Sequence, residues 1–284
     1  MLSYIYVFRV SSSWRKQNVK IAVCIKQVPG TTAVEVDPAT GTLKRDGVES
    51  KLNPCDLYAV ETALRLKEKY KAAVTAVTMG PPQAAAVLRE SFMMGVDEGV
   101  LVSDRKFAGA DVLSTARTLS QALTVCGPFD LVICGRQTTD GDTSQVGSET
   151  AELLKVPHVC NVTKIFSVDD QAISAAAVMP RCLMKFRMEL PALITVDESI
   201  AEPRLPSYKL KLATADRKIR VLTLADLPDR EESHYGQSGS PTRVIRVFPP
   251  EHDVKKERWE GSGQETADRL FRLLEEGKYL QNPR

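Results

Sequence analysis

The stretch Phe129–Gly147, "FDLVICGRQTTDGDTSQVG", passes from an apolar run through a polar, glycine-studded loop into the helical pattern "SETAELLKV". A buried strand that ends in such a loop and restarts at once as a helix is the unit from which open α/β sheets are built. The first turn of a helix leaves main-chain N–H groups without partners, so this step can hold an anion; it can equally be a plain connection. The loop supplies Arg136 as a cation, Asp140 and Asp142 as acids, and Thr143 and Ser144 as hydroxyl donors. Asp142 stands three residues before Gln145, the spacing of a capping box, and predicts a helix start near Thr143. Asp140 is free to accept from ribose hydroxyls or to hold the loop closed. A capped helix accounts for Asp142 but leaves Gly135, Gly141 and Gly147 unexplained.

On either side of this stretch the pattern alternates. "VKIAVCIKQV" (19–28) reads as a central strand, "DPATG" within 33–47 as a hairpin, and 53–70 as a helix with Asn53 as cap and Pro54 in its first turn. A strand (72–80), a helix (81–95), the short strand "DEGVLVSD" and the helix "GADVLSTARTLSQALTVCG" follow. Strands and helices in this order predict a mostly parallel sheet with helices on both faces. After residue 157 four strand-like segments come in succession without helices, which predicts added antiparallel strands. "IRVLTLADL" reads as a last strand, "DREESHYGQSGSPT" as a linker, and 261–280 as an arm containing an amphipathic helix. The expected divisions are residues 1–18, an upstream mis-start before Val19 or a disordered extension; 19–230, the α/β domain; and 231–284, linker and arm.

Bulk properties narrow the function. A chain of 284 residues with a net charge of +2 offers no basic excess for nucleic acid. No apolar stretch reaches the ~18–20 residues of a membrane helix. The six cysteines include no C-x-x-C pair and fit buried thiols in a reducing cytoplasm. Three histidines, none at ligand spacing, argue against zinc, and no nucleophile–base arrangement emerges, so no catalytic or metal-binding residue is assigned. There is no G-x-G-x-x-G or G-x-x-x-x-G-K-[ST] fingerprint. A nucleotide would have to rely on helix N-termini and on glycines that let it approach the backbone.

"KIAVCIKQVPG", "LNPCDLYAVETALRLKE", "VTMGPPQA", "GVDEGVLVSD", "DLVICGRQTTDGDTSQVG" and "LPALITVDESIAEPR", in order from about 19 to 230, together resemble the beta subunit of electron transfer flavoproteins. The resemblance implies a Rossmann-like core, a heterodimer with a flavin-bearing alpha subunit, and an adenine nucleotide in this chain. That nucleotide is AMP in ordinary members and a second FAD in those that bifurcate electrons from NADH. The implied contacts are Cys24; Asn53, Pro54, Cys55 and Asp56; Met79; and Gly135, Arg136, Gln137, Thr138, Asp140, Gly141, Asp142, Thr143, Ser144, Gln145, Val146 and Gly147. Ordinary members carry a loop similar to "DDDCNQTG"; "DGDTSQVG" here is similar to the bifurcating group, and FAD is the preferred cofactor. Arg136 and the helix start would then stabilise a diphosphate. "TVDESIAEPR" is similar to the loop that docks on an acyl-CoA-type or other flavin dehydrogenase, although Glu198-Ser199-Ile200 stands where leucine anchors are usual. Ferredoxin or flavodoxin would be the low-potential acceptor. A single-route carrier with structural AMP, and a stand-alone adenine-nucleotide sensor, are the alternatives.

Overall fold

The computed structural model describes residues 19–30, 50–245 and 256–280; the extension 1–18 and the hairpin expected in 33–47 lie outside them. The apolar run after Val19 forms β1 (Lys20–Cys24) but does not continue to residue 28. The backbone leaves the sheet at Lys26, whose N–H donates to the Asp56 carboxylate at 2.8 Å and whose carbonyl accepts from Asn53 N at 2.9 Å. β2 (Gln27–Pro29) instead pairs antiparallel with β3 (Ser50–Leu52) in a separate two-stranded ribbon. α1 (Pro54–Tyr70) starts on its proline, as the fixed φ of that residue favours.

The alternation then proceeds through β4 (Ala73–Met79), α2 (Ala85–Met94), β5 (Glu98–Val102), α3 (Val112–Cys126), β6 (Leu131–Gly135) and α4 (Val146–Leu154). β7 (His158–Val168), β8 (Ala172–Met179) and β9 (Cys182–Glu189) form the expected antiparallel addition. β10 (Ala192–Val196) departs from it: the strand inserts between β6 and β7 and runs parallel to both. All five of its residues are buried, the mark of a strand covered on both faces. A short helix that the sequence pattern did not suggest, α5 (Tyr208–Ala213), precedes β11 (Ile219–Leu222), which closes the far edge parallel to β5.

The nine strands lie in the order β11-β5-β4-β1-β6-β10-β7-β8-β9. Successive residues of a strand point to opposite faces. Ile21 and Val23 accordingly join a core with α1 and α2, while Ala22 and Cys24 join another with α3 and α4. From β1 the chain builds outward first through β4 and β5 and then, on the other side, through β6 and β10. The order therefore reverses between β1 and β6, and at such a switch point the exit loops part to leave a crevice.

The segment expected to be a linker after residue 230 packs on this core. Tyr235 is 1% exposed, tilts against Phe107 with ring centroids 5.5 Å apart, and donates its hydroxyl to the Asp229 carbonyl at 2.7 Å. Gly236, at φ 55°, lies so close to the Lys106 and Ala108 carbonyls that no side chain would fit. The chain divides into two compact units after Arg246. The second carries α6 (Gly263–Glu276), opened by a capping box between Ser262 and Glu265. Among the described residues no helix is long and apolar enough to cross a membrane.

Candidate cofactor site

β1 and β6 pair in register with Cys24 opposite Cys134. Both thiols are buried, and that of Cys134 is pushed well above the usual range by its hydrogen bond with the Cys24 thiol and by burial. The Cys134 thiol is therefore disfavoured as a thiolate. Two residues beyond Cys24 comes Lys26; directly beyond Cys134 comes Gly135. Both exits converge on Asp56, in the first turn of α1, which accepts from Lys26 N, from Gly135 N and from the Asn53 side chain. Burial nevertheless dominates, and pushes the Asp56 carboxyl up to about 7. Cys55 is half-buried beside it, its thiol raised by burial and then by the Asp56 charge.

Asn53 precedes α1 but makes no side-chain capping bond. Its amide reaches across the crevice instead, donating to the Gln137 carbonyl at 2.8 Å and accepting from Thr139 N at 3.2 Å. A second tether joins the Lys26 ammonium to both oxygens of Asp140, each at 2.8 Å. Burial works against the Asp140 charge, but Lys26 outweighs it and holds the carboxyl below its usual range. Asp140 thus holds the loop closed.

Two of the three glycines have reasons inside the protein. A side chain at Gly135 would overlap Asp56 and Cys55, and one at Gly147 would come within 2.6 Å of Thr195 Cγ2 on β10. Gly141 is different: the nearest atom to a Cβ there is Thr138 Oγ1 at 3.4 Å, so the tip of the loop stands open.

The capping box expected between Asp142 and Gln145 does not form. Asp142 (φ 50°) and Ser144 (φ 56°) both adopt the left-handed region, which ends any helical run through them, and α4 begins at Val146 rather than near Thr143. Asp142 N donates to the Thr138 carbonyl at 2.9 Å, and Ser144 Oγ donates to Gln137 Oε1 at 3.0 Å. Gln145 flanks the helix without a side-chain capping bond. A left-handed residue followed by the right-handed Gln145 is the backbone pattern of an anion-binding nest, and it leads into the uncapped first turn of α4. Loop residues 139–145 are exposed.

Arg136 is not free. Its Nη1 donates to Asp197 Oδ2 at 3.3 Å, so the cation expected for a diphosphate already has a carboxylate partner. Met79 ends β4 half-buried against the second core. Glu149 Oε2, in the first turn of α4, and Ser114 Oγ, at the start of α3, are buried without hydrogen-bond partners among the described residues. Burial and the charge of Asp111 push the Glu149 carboxyl up.

The sequence-predicted residues Asn53, Asp56, Gly135, Gln137, Thr138, Asp140, Asp142 and Ser144 are joined by the contacts above, and Cys24 lies beneath them. Lys26 and Asp197 were missed. Asp197 follows directly on the C-terminal end of β10 and Lys26 stands two residues past that of β1, and this position at the end of a central strand is the signal that would have found them. The main-chain pattern fits an anionic phosphate group at the start of α4. Lys26 and Arg136 are the cations tied to this loop, and each is paired with a carboxylate.

The electron transfer flavoprotein domain pattern matches residues 40–227. The chain is 40% identical over 257 residues to "Electron transfer flavoprotein subunit beta" of Thermoanaerobacterium thermosaccharolyticum, covering 90% of this chain and 98% of that one. It is 40% identical to "Caffeyl-CoA reductase-Etf complex subunit CarD" of Acetobacterium woodii, covering 82% of this chain and 88% of that one. It is 37% identical to "Protein FixA" of Bradyrhizobium diazoefficiens, covering 92% of each.

Proposed function

The chain belongs to the electron transfer flavoprotein family as a beta-type subunit, and on that premise we propose that it holds an adenine-containing cofactor, FAD in preference to AMP, in the crevice between β1 and β6. The observation that carries this reading is the backbone of the "DGDTSQVG" loop. Left-handed residues at 142 and 144, an open tip at Gly141 and an uncapped helix start at Val146 together leave main-chain N–H groups for phosphate oxygens. Asn53 and the Lys26–Asp140 pair keep the loop in that shape. In this reading the cofactor-binding set is the one named from the sequence, with Lys26 added as a positioning residue.

Flavin held there by the Asn53–Asp56 and Gly135–Gly147 segments would supply the redox chemistry, hydride acceptance from NADH and electron transfer toward the alpha-subunit flavin with its dehydrogenase and toward a low-potential carrier such as ferredoxin or flavodoxin. The protein supplies placement and electrostatics. The relative whose name places it in a caffeyl-CoA reductase–Etf complex supports a dehydrogenase or reductase of CoA thioesters as partner. The segment from Glu198 to Leu205 is the face proposed for it. The apolar anchor that Glu198-Ser199-Ile200 does not provide is available at Leu205, which is 88% exposed. α6, with Leu270 and Leu273 half-exposed, is assigned to the alpha subunit.

One observation favours the single-route carrier with AMP: Arg136 is engaged by Asp197, and one phosphate demands less positive charge than two. Anaerobic addition of NADH to the purified heterodimer separates the readings. Bleaching of flavin absorbance without any added dehydrogenase supports the NADH-linked account; an unchanged spectrum rejects it.

A further inference from the structure

The register of the sheet brings together two residues from segments with different proposed tasks. β6 and β10 pair with Val196 opposite Gly135, so the next residue of each chain, Asp197 and Arg136, leaves the sheet beside the other. Their ion pair joins a half-exposed guanidinium to a largely buried carboxylate. The second oxygen of Asp197 accepts from Ser199 N at 3.1 Å and Ser199 Oγ at 2.8 Å, and so caps the 3-10 turn Glu198–Ile200. One carboxylate thus serves both the cofactor loop and the segment that follows β10.

The far end of that segment is fastened in the same manner. Arg204 donates through Nε to Glu61 at 2.7 Å and through Nη1 to Glu68 at 2.6 Å, both on α1. α1 is also the helix whose start, at Asn53 and Asp56, holds the exits of β1 and β6. Segment 197–204 is therefore strung between two ion pairs, each rooted in an element that builds the crevice.

We propose that Asp197 is a positioning residue for the cofactor loop, acting through Arg136, and that the pair transmits occupancy of the crevice to segment 198–204. The proposal rests on the reading of the loop given under Proposed function. A guanidinium carries five N–H donors in a fixed plane. Asp197 uses one and restricts the orientation of the rest, so less freedom is lost when the remaining donors meet a phosphate. A phosphate drawing on the same guanidinium changes the charge facing Asp197, and Asp197 is the cap of the turn at Ser199. Linkage makes the influence reciprocal: a partner that fixes the turn must alter cofactor affinity by the same factor. Half-exposed ion pairs contribute little to global stability, so removing this one leaves the fold intact and its effect is read in affinity.

The test uses the complete chain with its alpha subunit, freed of nucleotide and titrated with AMP and with FAD. Arg136→Gln should weaken binding by about tenfold, as expected for loss of a charged hydrogen bond. Asp197→Asn should weaken it by about threefold, the scale of a partly exposed pair. The double variant should bind no more weakly than Arg136→Gln, and Asp197→Glu should recover part of the loss. Hydrogen exchange in a peptide spanning 198–204 should slow on loading in the wild type and not in Arg136→Gln. Wild-type affinity in Asp197→Asn beside a weakened Arg136→Gln, or losses that multiply in the double variant, would overturn the positioning role. Exchange that ignores loading in the wild type would overturn the transmission. An Arg136→Gln protein that binds as tightly as wild type would sink the phosphate role of Arg136 together with this inference.

Discussion

The Asp56 carboxylate occupies the space that any side chain at position 135 would need. Gly135 ends β6, and Asp56 lies in the first turn of α1, so a helix start and a strand end meet with only a glycine between them. Gly135→Ala must displace the carboxylate or the strand end, and overpacking of this kind costs about 1–3 kcal/mol. Urea unfolding of the variant should show that loss, with weakened AMP and FAD binding beside it. A variant with wild-type midpoint and affinity would contradict the contact.

Asp56 gives the chain a pH dependence of unusual sign. Its carboxyl is raised from 3.8 to about 7 by burial, so between these values the folded chain holds a proton that the unfolded chain has released. Stability from this group is full below the unfolded value and declines as pH rises toward about 7, after which it is level. Carboxyls held low, such as Asp140 and Asp197, act in the opposite sense, with stability lost only as acid protonates them. Denaturation midpoints at several pH values should show the wild type falling relative to Asp56→Asn across that window. Parallel curves would show that Asp56 titrates in the ordinary carboxylate range.

Lys26 separates positioning from stability. Its pair with Asp140 is partly exposed, and such pairs contribute about 0–1 kcal/mol. Lys26→Ala should therefore melt within a few degrees of the wild type while binding AMP or FAD more weakly, because the loop loses the tether across the crevice. Calorimetric titration beside thermal melting checks both halves. Equal affinity would make the pair incidental to the site.

The arm makes a prediction of a different kind. Leu270, Phe271 and Leu273 are all about half-exposed on α6, and burying one such side chain is worth about 1.5–3 kcal/mol. Leu270→Glu with Leu273→Glu should weaken association with the alpha subunit by at least about tenfold and leave the unfolding of the α/β unit unchanged. Gel filtration across a concentration series would reveal it; a heterodimer as persistent as the wild type would release the arm from this role.

Much of this architecture was legible because it is written locally. The alternation of apolar runs with helical spacing announced a parallel sheet with its exit loops at one end, while the reversal between β1 and β6 that opens the crevice is set by the strand order in space. The place of β10 was not legible, since pairing direction depends on which strands are available in space; four of its five residues are apolar, but so are many in the neighbouring strands that pair antiparallel. Asn53 has the side chain of a cap, yet the main chain of residues 137–139 competes for it and wins. The left-handed turns at Asp142 and Ser144 leave little mark in composition, because aspartate only weakly signals that conformation and serine does not signal it. Tyr235 shows the same limit from the other side: its ring packs on Phe107, and Gln237 N and Thr242 N donate to the Ala108 carbonyl and the Asp111 carboxylate, so a polar stretch read as a linker folds onto the core.

The cofactor inventory of the as-purified heterodimer tests the central claim most directly. Protein denatured without hydrolysis releases its nucleotides for separation and mass measurement. Two FAD per heterodimer and no AMP is the result that the proposed FAD site between β1 and β6 predicts. One FAD with one AMP would contradict it, and would assign this chain to carriage along a single route.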